Sequence, residues 1–186
     1  MPHIELSNDL PGISGLLAHR KDTGAPLSQL VETLLRGPSP LSRGERELIA
    51  AYVSELNGTR FCSASHSAFA AAQLEGGQDL VKSVLHQADT APVSERLRAL
   101  LRIAAEVREE PHPVSDAALA AARAEGAGDT EIHDTVLIAA AFCMYNRYVD
   151  ALDTALPAEP GYYTEAARRI TSQGYVNSKA AAGSTD

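Results

Sequence analysis

A cysteine and a histidine stand four residues apart in the stretch RFCSASHSAF, at Cys62 and His66. Side chains at this spacing on an α-helix lie about 5–6 Å apart on one face. Cys62 also falls near the predicted beginning of a helix, where the helix dipole and the histidine could lower the thiol pKa from about 8.5 to about 6.5. The pattern predicts a reactive thiol beside a proton acceptor. The competing interpretation is a buried structural cysteine beside a surface histidine.

A glutamate precedes this pair by one helix. Glu47 lies fifteen residues before Cys62, in the middle of an apolar helix face. A carboxylate at such a position costs free energy unless it is paired. We therefore expect Glu47 to be buried and to orient His66, as a carboxylate orients a catalytic base. The alternative is a solvated Glu47 on the helix surface.

The second half of the chain carries further polar candidates on its longest predicted helix. Asn146 and Arg147 could bind a polar group of a substrate, but Arg147 could instead form a structural ion pair with Asp150 or Glu47. His133 could reach the pocket of its own or a neighbouring subunit. The alternative for His133 is a partly exposed residue in the first turn of the helix.

Four of these residues have side chains of the metal-ligand type: Glu47, Cys62, His66 and His133. No C-x-x-C or H-x-x-x-H pair is present, and at least one ligand would have to come from a distant helix. Phosphate-binding glycine loops and nucleotide fingerprints are also missing from the sequence. The sequence therefore predicts no cofactor and no metal, and the four-residue metal site is kept as an alternative.

Composition restricts the class of protein. The 186 residues have a net charge of −8 and a pI near 5.2, which argues against nucleic-acid or anionic-membrane partners. Two cysteines do not make a secreted disulfide framework. The N-terminus lacks the pattern of a signal peptide, and no run of eighteen apolar residues could span a membrane. We expect a reduced, cytoplasmic protein.

The segments that must position these side chains are all predicted to be helices. Ser42 and Glu45 form an S-x-x-E capping box at the start of the helix that carries Glu47. The next helix is expected to begin near Cys62, and the longest one at Asp129. Upstream, Gly24 to Pro26 predicts a break between two helical pieces. No strand pattern appears, so we expect one all-α domain, a bundle with short loops.

The predicted organisation has three parts. Residues 1–10 form an N-terminal arm, residues 11–176 form the helical domain, and residues 177–186 form a small, polar tail that we expect to be flexible.

Two segments together resemble the alkylhydroperoxidase AhpD-like proteins of the carboxymuconolactone decarboxylase superfamily. The family pattern is a glutamate followed by C-x-x-C-x-x-x-H across a helix–turn–helix, and the stretch LNGTRFCSASH matches it through Glu47, Cys62 and His66. A later segment resembles the F-N-x-x-N-R-x-x-D-x-L stretch of peroxidase-related members, with matches at Phe142, Asn146, Arg147 and Asp150. The resemblance covers roughly residues 10–176.

This resemblance implies an AhpD-like helical bundle that assembles into homo-oligomers, as trimers or hexamers. It also implies a thiol-dependent hydroperoxide reductase. In that mechanism Cys62 attacks a small hydroperoxide and becomes a sulfenic acid, while His66 and Glu47 relay the proton. A second cysteine then forms a disulfide, which an external thiol reductant reduces.

The chain departs from the family pattern at one position. The first cysteine of C-x-x-C is replaced by Thr59, which cannot exchange thiols. Cys62 could work with an external thiol alone, or Cys143 could resolve it if the two Cα atoms lie within about 7 Å. Otherwise the pocket performs metal-assisted or acid–base chemistry on a small organic acid or lactone, or the chain is a non-catalytic oligomeric binding module with a vestigial site.

Overall fold

Helices make up the architecture of the computed structural model, which describes residues 2–109 and 112–176. Within these ranges the chain forms nine α-helices and no strand, so the prediction of an all-α fold is confirmed. The helices are α1 (Gly12–His19), α2 (Lys21–Arg36), α3 (Arg43–Leu56), α4 (Arg60–Ala71), α5 (Gly77–Gln87), α6 (Glu95–Arg108), α7 (Asp116–Ala124), α8 (Asp129–Ala151) and α9 (Tyr162–Gln173).

The hydrophobic core is centred on α3, which packs against α2, α4, α5, α6 and α8. Its inward face is fully buried, as are the facing positions of α6 and α8. Apolar side chains recurring at helical spacing bury one face of each helix, and this burial supplies the main free energy of folding. The largest of them are Leu48, Ile49, Val53, Leu100, Leu101, Ile103, Ile138 and Phe142.

The helix pair α3–α4 forms the helix–turn–helix that carries the candidate residues. The predicted capping box is confirmed: Ser42 Oγ accepts from the backbone N–H of Glu45, and the Glu45 carboxylate accepts from that of Ser42. The chain reverses at Gly58, whose φ of +73° favours glycine. Helix α4 then begins at Arg60, two residues earlier than Cys62, so Cys62 lies in its first turn.

The predicted break at Gly24 to Pro26 is wrong. Helix α2 runs through both residues, and the chain bends earlier, at Arg20, between α1 and α2. Pro26 lies in the second turn of α2, where its ring nitrogen has no hydrogen to donate to the carbonyl oxygen of Asp22, and the helix continues through it without that one bond. Gly24 has a packing role, since a Cβ there would lie 2.2 Å from the carbonyl oxygen of Leu17.

The C-terminal helix α9 covers α4, where Phe69 packs with Ala166, Ala167 and Ile170. Beyond α9 the chain turns at Gly174, and Tyr175 packs back against the core. Residues 2–10 contain no helix, and the predicted tail, residues 177–186, lies outside the described residues. No described helix has the length and apolar character needed to cross a membrane.

Replacing Leu48 with alanine tests the position of the core. Leu48 is fully buried, so the variant loses buried apolar area and leaves a cavity. We expect the free energy of unfolding in urea to fall by about 2–5 kcal/mol. The matched control is Leu137→Ala on α8, where the side chain is 39% exposed, and a change within about 0.5 kcal/mol is expected. Equal losses in the two variants would contradict this description of the core.

Candidate thiol site

Cys62 lines a cavity of about 140 Å³ that is bounded by α1, α2, α4, α8, α9 and the segment after α9. Cys62 is 3% exposed and forms a small buried cluster with Phe61 and Val149. Most of the lining is apolar, and it includes Ile13, Leu17, Leu27, Val31, Phe69 and Phe142. His66 lines the same cavity, so the structure brings the two predicted residues together, one helical turn apart on α4.

Glu47 and His66 form a buried pair, as predicted from the sequence. Glu47 is 1% exposed, and its Oε2 lies 2.6 Å from Nδ1 of His66. An ionised carboxylate can only accept hydrogen bonds, so Nδ1 of His66 carries a hydrogen and donates the hydrogen bond to Glu47. Nε2 of His66 is then left as the acceptor nitrogen of the ring. This is the tautomer that a general base next to a thiol requires.

The second oxygen of Glu47 accepts a hydrogen bond that the sequence did not predict. The hydroxyl group of Tyr175 donates to Oε1 at 2.6 Å. Burial, followed by the negative charge of Glu47, raises the pKa of Tyr175 well above its usual value, so this hydroxyl stays a donor. The ring of Tyr175 also stacks on His66, with 6.3 Å between centroids and 19° between planes. One tyrosine therefore contacts both members of the pair.

The predicted thiolate at Cys62 is wrong for this structure. The pKa of the Cys62 thiol is raised to about 12, chiefly by burial; a hydrogen bond with the Asn146 side chain lowers this pKa, and the charge of Asp150 raises it. Removal from water penalises the charged form more than a helix N-terminus stabilises it here. At neutral pH only about one thiol in 10⁵ would be ionised.

Asn146 is a fully buried part of the wall behind the thiol, rather than an exposed ligand for substrates. Its Nδ2 donates to Oγ of Ser54 at 3.1 Å, and its Oδ1 accepts from Nδ2 of Asn57 at 2.8 Å. The same Asn57 nitrogen lies 3.8 Å from Sγ of Cys143. This amide network holds α3 against α8 and connects the surroundings of the two cysteines.

Three other predicted residues lie outside the lining of the cavity. Thr59, fully buried, precedes α4 and donates a hydrogen bond to Asp150. Arg147 is exposed and donates to the carbonyl oxygen of Cys143 at 3.2 Å. Cys143 belongs to the main core, whereas Cys62 belongs to a separate cluster, and both thiols are free.

His133 lies on the surface of α8, with its side chain 69% exposed and Nδ1 at 3.1 Å from Asp134. It is therefore not brought to Glu47, Cys62 and His66, and the four-residue metal set does not assemble within this chain. Both Glu47 oxygens are already occupied by hydrogen-bond donors. Among residues 2–109 and 112–176, no group of three or more His, Cys, Asp or Glu side chains is placed to hold a metal ion.

Sequence reasoning missed Tyr175, Asn57 and Arg169, of which Tyr175 and Arg169 line the cavity. Tyr175 is 128 residues from Glu47, and no spacing rule connects them. The available signal was the Gly174 stop after the last helix, since a bulky aromatic residue after a helix end commonly packs back onto the core.

The site geometry can be compared with known proteins. Residues 22–106, which contain Glu47, Cys62 and His66, match the model of the carboxymuconolactone decarboxylase family. The resemblance predicted from the sequence is thereby confirmed, whereas the replacement of a family cysteine by Thr59 stays a prediction. No match is found among curated proteins.

Two solved structures resemble most of this chain. An uncharacterized peroxidase-related protein from Silicibacter sp. TM1040 has a TM-score of 0.72 and 28% identity, over 80% of this chain and 77% of that one. A second protein, from Ralstonia eutropha JMP134, is described as an alkylhydroperoxidase AhpD core and an uncharacterized peroxidase-related protein. It has a TM-score of 0.73 and 27% identity, over 80% of this chain and 78% of that one. The AhpD-like fold is confirmed.

The protonation state of Cys62 can be measured directly. In a Cys143→Ser background, we expect the ultraviolet absorption of the thiolate to be missing at neutral pH, because burial raises the pKa of Cys62 to about 12. Subtracting the titration of the Cys62→Ser/Cys143→Ser variant removes the contribution of tyrosines. A thiolate signal from Cys62 below about pH 8 would contradict the buried, neutral thiol.

Proposed function

We propose that this chain is a peroxidase-related thiol oxidoreductase that reduces small organic hydroperoxides. Cys62 is the nucleophile, His66 is the base, and Glu47 orients His66. The observation that carries the proposal is the cavity itself, in which the thiol and a histidine held by a buried carboxylate line one apolar space. The peroxidase-related descriptions of the two similar structures support it.

The neutral thiol explains why a base is needed. A thiol is a poor nucleophile until its proton leaves, and burial makes spontaneous ionisation of Cys62 rare. Transfer of the proton to Nε2 of His66 during the attack avoids a free buried thiolate. The imidazolium that forms is stabilised by Glu47, whose Oε2 lies 2.6 Å from Nδ1. General-base catalysis of this kind contributes about 10²–10⁴-fold.

The reaction balances without a cofactor. Sγ of Cys62 attacks the terminal oxygen of the hydroperoxide, a sulfur–oxygen bond forms, and the oxygen–oxygen bond breaks. The sulfur is oxidised by two electrons to a sulfenic acid, and the hydroperoxide is reduced to an alcohol. His66 accepts the thiol proton and returns it to the leaving alkoxide oxygen. One external thiol then forms a mixed disulfide with release of water, and a second restores Cys62.

External resolution fits the positions of the cysteines better than an internal disulfide. Cys143 lies in the main core and outside the residues that line the cavity, and Thr59 has no thiol. An attacking thiol can instead enter through the cavity that the substrate uses. The size of that cavity, about 140 Å³, resembles the cavity of about 150 Å³ that binds benzene in an engineered protein. It therefore suits compact apolar hydroperoxides.

The decisive experiment follows the oxidation of Cys62 by intact mass in the Cys143→Ser background. We expect cumene hydroperoxide to oxidise Cys62 much faster than it oxidises free cysteine. His66→Ala removes the base and should lower the rate about 10²-fold. Glu47→Gln keeps the shape but removes the charge that stabilises the imidazolium, so a decrease in the same direction is expected.

The matched control for these variants is His86→Ala. His86 is a histidine near the end of α5 that does not line the cavity, and its removal should leave the rate unchanged. If wild-type Cys62 reacts no faster than free cysteine, the proposed function is wrong. If His66→Ala reacts as fast as the wild type, the assignment of the base is wrong.

The resolving step has its own prediction. After oxidation, an added small thiol should form a mixed disulfide on Cys62 at the same rate in the wild type and in Cys143→Ser, because Cys143 lies outside the cavity. Intact mass and peptide mapping identify the product. A wild-type product that is lighter than the reduced protein by two hydrogen atoms, with Cys62 and Cys143 joined in one peptide pair, would contradict resolution by an external thiol.

A second candidate function is favoured by the protonated state of Cys62. A neutral thiol can donate a proton while His66 accepts one, which is an arrangement for acid–base chemistry on a small organic acid or lactone. The family name points to lactone-like compounds. Deuterium exchange at carbon in small lactones, lost in both Cys62→Ala and His66→Ala, would favour this function if hydroperoxides prove inert.

A further inference from the structure

We propose that Tyr175 is a positioning residue of the thiol site, which the C-terminal segment after α9 brings onto Glu47. Its hydroxyl group holds the Glu47 carboxylate in place, so that His66 donates from Nδ1 and leaves Nε2 free in the cavity. This inference rests on the proposed function for its catalytic consequence. Its structural part, a stabilised Glu47–His66 pair, can be measured without any reaction.

The hydrogen bonds of Glu47 support this role. A carboxylate that is 1% exposed has lost its water, and buried charges need strong donors. His66 supplies one at Oε2 and Tyr175 supplies the other at Oε1, both at 2.6 Å. The two donors engage different oxygens and fix the plane of the carboxylate. Without Tyr175, one oxygen would face the apolar surroundings with no donor.

The segment that carries Tyr175 is fastened to α2. The backbone N–H of Tyr175 donates to Oε2 of Glu32 at 2.6 Å, and Nε of Arg36 lies 3.3 Å from Oε1 of the same carboxylate. Arg36 also donates to the carbonyl oxygen of Ile170 at 2.9 Å. Gly174 adopts φ +82°, and a Cβ there would meet Glu32 at 2.6 Å, so the close approach requires glycine.

Other charged and titratable groups surround the pair on every element packed against it. None of them replaces the Tyr175 hydroxyl at Oε1 of Glu47. They are Arg46 on α3, Cys62 on α4, Glu32 and Arg36 on α2, Tyr145 on α8 and Arg169 on α9.

The direction of the effect follows from which state the hydroxyl stabilises. A donor to a carboxylate stabilises the deprotonated pair most, because that state carries the net negative charge. Removing the donor therefore makes the Glu47–His66 pair hold its last proton more tightly, and its macroscopic pKa rises. The base is then protonated over a wider range of pH. The acidic limb of the rate profile moves to higher pH, and the alkaline plateau is retained.

The test compares Tyr175→Phe with Tyr52→Phe, which removes a hydroxyl from another tyrosine, on α3 and outside the cavity lining. The first readout is the NMR titration of the His66 ring, assigned with His66→Ala. The second readout is the pH profile of Cys62 oxidation by cumene hydroperoxide. We expect Tyr175→Phe to raise the midpoint of the His66 titration by about one pH unit. At pH values below that midpoint, the rate of Cys62 oxidation should then fall about tenfold.

The outcomes separate the inference from the proposed function. An unchanged titration midpoint in Tyr175→Phe, or an equal shift in Tyr52→Phe, overturns the inference. A rate that falls equally at every pH also overturns it, because loss of packing alone would do that. A shifted titration in a protein whose Cys62 is not oxidised supports the positioning role and rejects the peroxidase. A second variant, Glu32→Gln, weakens the hydrogen bond that holds the backbone of Tyr175 against α2. It should shift the His66 titration midpoint in the same direction as Tyr175→Phe, but by less.

Discussion

The buried carboxylate of Glu47 is the interaction on which the site depends. A charge that is 1% exposed is tolerated only with donors on both oxygens, and those donors come from two separate parts of the chain. Helix α4 contributes His66, and the segment after α9 contributes Tyr175. Helices α3 and α4 and the C-terminal segment must therefore dock together for the carboxylate to be satisfied. The orientation of the His66 ring follows from that requirement.

The same burial that strengthens the Glu47–His66 pair suppresses ionisation of Cys62. In an apolar cavity a hydrogen bond to a carboxylate is strong, but a lone thiolate is costly. Burial therefore raises the pKa of Cys62 to about 12. Reactivity in such a site depends on removing the proton at the moment of attack, rather than on storing a thiolate. In the proposed mechanism, activation of the thiol therefore depends on His66 rather than on the helix N-terminus.

The polar residues of α8 have structural roles around this cavity. Asn146 joins Ser54 and Asn57 in a buried amide network, and Asp150 accepts the hydroxyl hydrogen of Thr59. Thr59 therefore connects the turn before α4 to α8 by a hydrogen bond. The side of Cys62 next to Asn146 is polar, whereas the cavity that Cys62 lines is mostly apolar. His66 lines the same apolar space as Cys62.

Most of the helices, the cap at Ser42, and the placement of Cys62, His66 and Glu47 on one helix–turn–helix could be predicted from the sequence. These features are local: they follow from hydrophobic periodicity, capping and spacing within about twenty residues. The tertiary structure alone decided the depth of burial, and with it the pKa of Cys62. It also separated His133 and Cys143 from the cavity and brought Tyr175 to Glu47. Contacts across 128 residues, and the dielectric around a buried group, depend on how all the helices pack, which no local pattern encodes.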